Sequence, residues 1–187
     1  MLAEPSVDEG NVGAGVDECL LAAYSARLAA LRYDTIGMIE ALVLSPRMDE
    51  HVIVPTLAVS PGNGPVGQYP GKQWWLGEKT VGRQISAVNA EVLDVLEIAY
   101  DVPGDNLIVR GIDLSQFEPG NVLRIGDVLL VATETPHRPC AKLARRTTLT
   151  KMKATARKRY RGTMFDALRP GTIFLGDAVE RLLMPKS

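Results

Sequence analysis

Between residues 36 and 135 the chain is cut into short apolar segments rich in Ile, Val and Leu, each bounded by turn residues. No other feature narrows the possible folds as much. Residues 36–44 and 51–60 are two such segments, each followed by a Ser-Pro dipeptide. Residues 107–109, 122–125 and 127–135 are three more, separated by Pro103-Gly-Asp, Glu118-Pro-Gly and Gly126-Asp. Residues 81–87 read as a further strand, and 171–180 as a strand-like unit around Gly176-Asp177. Short strands at close, regular spacing point to a barrel or sandwich. Residues 60–67 form a turn-rich loop, followed by Gln73, Trp74, Trp75 and Leu76.

Helical spacing is confined to a few places. Leu20, Leu21, Tyr24, Leu28 and Leu31 predict a helix over 17–33, with Cys19 on it as a small buried thiol. Residues 89–100 predict a short helix capped by Asn89. Residues 147–161 read as helix or loop, and no internal repeat is present. The expected fold is mainly β with a few helices (α+β), a mostly antiparallel barrel. Residues 1–34 are expected to form an N-terminal tail and helix, and 35–187 the barrel domain.

A chain of 187 residues holds one full core. Its net charge of −1 gives no overall pull toward nucleic acid or membranes. The acidic first residues do not resemble a secretory signal, and no apolar run is long enough to span a bilayer. With two cysteines and no disulfide framework, the chain reads as cytoplasmic with reduced thiols.

Chemistry concentrates near Cys140. Pro136 and Pro139 stiffen the turn before it, and His137, Arg138 and Lys142 lie close in sequence. Cations favour the thiolate, which is the nucleophile and the metal ligand. Two readings stand, a reactive thiol or a half-buried cysteine beside incidental charge. His137 reads as a base, a ligand or simply a polar loop residue. The other histidine, His51, is far off in sequence, and no Cys/His cluster has zinc spacing. Between Arg138 and Arg161 lie ten of the 21 Lys and Arg residues. They form either a solvated face or an anion site, phosphate being the natural guest of arginine. Nucleic acid is the weaker version, since only Tyr160 offers a stacking surface there.

Six ordered pieces carry a resemblance. They are Gly82-Arg-Gln-Ile-Ser, Pro103-Gly-Asp-Asn-Leu-Ile-Val, Gly111-Ile-Asp-Leu, Pro119-Gly-Asn-Val-Leu-Arg-Ile-Gly, Arg138-Pro-Cys-Ala-Lys-Leu and Gly171-Thr-Ile-Phe-Leu-Gly-Asp. In that order and spacing the chain resembles the MOSC domain, the C-terminal domain of molybdenum cofactor sulfurases. The resemblance implies a MOSC-type β-barrel and makes Cys140 the signature residue. It implies sulfur carriage as a Cys140 persulfide, or binding of the molybdenum cofactor (molybdopterin) with Cys140 as the molybdenum ligand. Some relatives of the second kind reduce N-hydroxylated compounds, including hydroxylamino-purines. Arg83, Asn106, Arg138 and Lys142 are the expected cofactor-binding residues, although Asn106 reads equally as a turn-stabilising residue and Arg83 as mere cover on the barrel. A phosphate-bearing pterin would give the basic segment its purpose.

Where many relatives carry Gly-x-x-Gly-Asp, this chain has residues 61–72 with no acidic side chain. The chain leaves no room for a pyridoxal-phosphate desulfurase domain. A cysteine desulfurase is therefore expected as a separate sulfur donor, with pyridoxal phosphate belonging to that partner. A non-catalytic anion-binding module is the remaining alternative, and the sequence leaves the oligomeric state open.

Overall fold

The computed structural model describes residues 15–75 and 78–182. Residues 1–14 of the expected N-terminal tail, and Leu76, lie outside the described residues. Helix α1 (Glu18–Ala29) opens the fold, and Asp17 caps it by accepting the Leu20 N–H at 2.9 Å. It is shorter than the 17–33 expectation, because the backbone leaves the helix after Ala30. Cys19, expected to be buried, is exposed, since the face of α1 that packs inward carries Leu21, Tyr24 and Leu28 instead.

Six strands follow: β1 (Ile36–Leu44), β2 (Val52–Val54), β3 (Thr56–Ser60), β4 (Gly64–Pro65), β5 (Trp74–Trp75) and β6 (Glu78–Lys79). The 51–60 segment is thus two strands parted at Pro55. Next come β7 (Ile85–Asn89), α2 (Ala90–Val95), β8 (Leu107–Arg110), β9 (Val122–Ile125) and β10 (Val128–Ala132). The chain continues through α3 (Ala141–Arg146), α4 (Leu149–Thr155), β11 (Thr163–Arg169), β12 (Gly171–Phe174) and β13 (Ala178–Leu182).

The main sheet runs β13-β9-β10-β11-β7-β8-β1-β2, and β13 also pairs with β1. Seven strands therefore close into a ring, with β2 appended to β1. Every pairing is antiparallel except β7 with β8, where Ala87 sits opposite Leu107. A parallel pair needs a crossover, and α2 supplies part of it.

Period-two alternation sorts the strand residues between two cores. Leu107, Val109 and Ala87 join the barrel interior with Phe117 and Phe165, whose rings meet edge to face at 5.7 Å. Ile108 and Val88 face outward and pack beneath α1, α2 and α4. The central strands are covered on both faces, so they read as unbroken apolar runs. Asn89 precedes α2 without capping it by its side chain. That side chain donates to the Ile112 carbonyl at 2.6 Å and accepts the Leu114 N–H at 3.1 Å, fixing the connection after β8. The segment 147–161, read as helix or loop, contains α4 and a single 3-10 turn over Arg157–Arg159.

Candidate functional site

A cavity of about 490 Å³ opens at the end of the barrel where β1 and β10 finish and β8 and β11 begin. Each strand end delivers a segment to it. The turn Pro103-Gly104-Asp105-Asn106 leads into β8, the Pro136–Cys140 stretch follows β10, and Arg161 precedes β11. Gly104 takes a positive φ of 72°, and a Cβ there would collide with the His51 ring, so the turn and the histidine fit only with glycine.

The base of the cavity is a buried polar network. Asp105 and Asn106 are each 1% exposed. Asp105 Oδ1 lies 3.2 Å from His137 Nε2, and Oδ2 accepts a hydrogen bond from Arg161 Nη1. Arg161 also donates to the Pro103 carbonyl at 3.3 Å. Lys72 Nζ donates to the Gly104 carbonyl at 2.6 Å and to Ser45 Oγ at 3.3 Å. Burial pushes the Asp105 carboxyl up, but Arg161 above all, with Lys72, holds it below the usual range. Burial, reinforced by Arg161, pushes the His137 imidazole down to about 3, so the ring is neutral at physiological pH. Burial likewise lowers Lys72 to about 8, against the pull of Asp105.

The mouth is exposed and basic. Cys140 is exposed, and its carbonyl accepts the Leu143 N–H at 3.0 Å at the start of α3. Lys142 and Arg146 both reach Asp49, at 2.9 and 2.8 Å. Arg146 Nη1 also meets His51 Nε2 at 3.2 Å, while His51 Nδ1 donates to the Asp101 carbonyl at 2.6 Å. Burial, together with Arg146, lowers the His51 pKa. Seven Lys and Arg side chains line the cavity against two Asp, so its field favours anions.

All six residues singled out in the sequence line this one cavity: Cys140, Arg83, Asn106, His137, Arg138 and Lys142. Cys140, Arg138 and Lys142 stand at the mouth, and Arg83 is half-buried. Asn106 is the most enclosed. Its Nδ2 donates to the Val43 carbonyl at 3.1 Å and to Gln68 Oε1 at 2.6 Å, while Oδ1 accepts the Ser86 N–H at 3.3 Å. The basic segment divides. Arg138, Lys142, Arg146 and Arg161 face the cavity, whereas Lys151 bonds Glu97, Arg157 bonds Ser25 and Arg159 pairs with Glu118.

Lys72, Asp105 and the pairing of His51 with Arg146 were not singled out in the sequence. An acidic residue beside Asn106, in a tight turn at the head of an apolar strand, was the available signal for Asp105. The loop over 61–72 lacks the acidic residue of many relatives, yet it brings Lys72 to the base of the site.

Among the described residues no helix is long and apolar enough to cross a membrane. No group of three His, Cys, Asp or Glu side chains among them could hold a metal ion.

No curated protein matches the sequence. Among solved structures, the YuaD protein from Bacillus subtilis superposes with a TM-score of 0.64 at 19% identity, covering 78% of this chain and 95% of that one. YiiM from Escherichia coli gives 0.57 at 16%, with 80% and 72% covered. YiiM from Geobacillus stearothermophilus gives 0.57 at 20%, with 79% and 75% covered. At these identities the likeness is one of fold. A family model described as the MOSC domain matches residues 78–180, the stretch that runs from β6 into β13 and carries Asp105, His137, Cys140 and Arg161. That match spans more than half of the sequence, and the chain belongs to the MOSC domain family.

Proposed function

We propose that the protein carries sulfur on Cys140 as a persulfide and presents it to an anionic, phosphate-bearing acceptor held in the basic cavity. The observation that carries this reading is the placement of an exposed thiol among seven Lys and Arg side chains around one cavity. The Cys140 thiolate attacks the outer sulfur of a persulfide on a donor such as a cysteine desulfurase. The donor's S–S bond breaks, a new S–S bond forms on Cys140, and the donor cysteine leaves as a thiolate that takes a proton from water. No oxidant or reductant is consumed.

The same residues suit the molybdenum cofactor of the family. Arg138, Lys142 and Arg83 would hold its phosphate, with Arg161 at the base, and Cys140 would supply a soft thiolate to the metal. His137 Nδ1 and Arg161 Nε, buried and without hydrogen-bond partners among the described residues, fit a site built for a polar guest. When bound, that cofactor supplies a redox-active metal centre. A cavity of about 490 Å³ is larger than sulfur relay alone requires, and this favours a second reading, a cofactor-dependent reductase of N-hydroxylated compounds. Two cysteines are too few to ligate an iron–sulfur cluster within these 187 residues, so its electrons would come from outside them.

Incubation with a cysteine desulfurase and cysteine, followed by intact mass measurement and peptide mapping, tests the carrier. One added sulfur on Cys140, removed by reductant and absent in Cys140→Ser, is expected. An alkylatable Cys140 that gains no sulfur overturns the carrier. Molybdenum found by elemental analysis would then favour the reductase. Anion binding unaltered in Cys140→Ser, with neither sulfur nor metal, would leave an anion-binding module.

A further inference from the structure

His137 has one ring nitrogen committed and one without a partner. Nε2 lies 3.2 Å from Asp105 Oδ1, and an ionised carboxylate only accepts hydrogen bonds. Burial and the neighbouring Arg161 keep the ring neutral, so its single proton sits on Nε2 and points at Asp105. Asp105 is held in place by Arg161 on its other oxygen, and Pro136 and Pro139 stiffen the backbone on either side of the histidine. The tautomer is therefore imposed by the surroundings.

Nδ1 is left as a bare acceptor. It is buried and has no hydrogen-bond partner among the described residues, on a side chain 6% exposed that lines the cavity. The Lys72 ammonium is close enough to lower the histidine's proton affinity, but its three protons go to Gly104, Ser45 and Gln68. An orphaned buried acceptor costs about as much as a lost hydrogen bond, unless a guest satisfies it.

We propose that His137 is a ligand-positioning residue whose Nδ1 accepts a hydrogen bond from the occupant of the cavity, so that the site selects anions bearing an O–H or N–H over anions bearing none. The selection rests on the reading of the cavity as an anion site, and it adds to that reading a rule of choice. Seven cations attract any oxyanion. A single acceptor at the base admits hydrogen phosphate, which carries a proton at neutral pH, and repels the oxygens of sulfate, which carries none.

Inorganic phosphate and sodium sulfate, at matched ionic strength and about pH 7, are suitable probes for calorimetric titration of the full chain. Phosphate is expected to bind about tenfold or more tightly than sulfate, the ratio that follows from leaving a buried acceptor unpaired. The chain has two histidines, so protein labelled with 15N-histidine gives two assignable rings. The unprotonated Nδ1 resonance of His137 is expected to shift on addition of phosphate and to stay in place with sulfate. His137→Phe is expected to erase the preference, bringing the phosphate and sulfate affinities together. Equal binding of both anions, an Nδ1-protonated ring or an Nδ1 signal unmoved by phosphate would overturn the role of His137 and leave the anion site standing. Binding of neither anion would overturn both. The labelled wild-type protein decides the matter even where His137→Phe does not fold.

Discussion

Asp105 keeps its charge where almost no water reaches it, and that charge orients the single proton of His137, which burial and Arg161 keep neutral. The unfolded chain takes a proton on His137 near 6.5, whereas the folded chain refuses it until about 3. Between those values the unfolded state binds more protons, so stability falls as the pH is lowered. The contribution of Asp105 has a different window. It is present above the ordinary carboxylate pKa and is lost only as the pH falls toward its lowered native value. From pH 7 to 5 the His137 share amounts to about 2 kcal/mol. Urea unfolding at the two values should show the wild type losing about that much more stability than His137→Phe. The motifs in the sequence were enough to mark Cys140, Arg83, Asn106, Arg138 and Lys142. Lys72 gave no such mark, and Asp105 only its place in the turn before β8, because a buried charge is defined by neighbours that only the closed fold supplies.

Strand β11 shows how packing overrides local preference. Its residues, Thr-Met-Phe-Asp-Ala-Leu-Arg, include several good helix formers, and the sequence did not identify it as a strand. It is a strand because β10 and β7 hydrogen-bond to its two edges and because Phe165 and Ala167 fill the barrel interior. Its entry is narrow. Gly162 has a φ of 98°, and a Cβ there would collide with the carbonyl oxygen of Ala87 on β7. Gly162→Ala should cost more than about 2 kcal/mol, measurable by chemical denaturation, since both the conformation and the space exclude a side chain. Arg161 stands next to it, so the variant should also weaken anion binding. The α2 cap errs for a related reason. Asn89 has the right residue type and position, but its side chain is drawn off to tie down the chain beyond β8.

At the scale of the molecule, the strand spacing pointed to a barrel or sandwich, and the expected barrel is the one the chain forms. The choice rests on one long-range pairing, β1 with β13, in which Ile36 lies opposite Glu180. Val179 sits on that seam, fully buried, opposite Gly37 on one side and Ile125 on the other. Val179→Asp should therefore open the ring and cost more than about 3 kcal/mol, read as a lowered melting temperature with near-complete loss of soluble protein. The β9–β10 hairpin pairs neighbouring segments, so it can form while the chain is still growing. The ring cannot. During synthesis β1 leaves the ribosome more than 140 residues before its partner, and for that interval Ile36 and Met38 lie along an unsatisfied edge. Barrel closure thus waits for β13, and a nascent chain stalled before it is the form most exposed to aggregation.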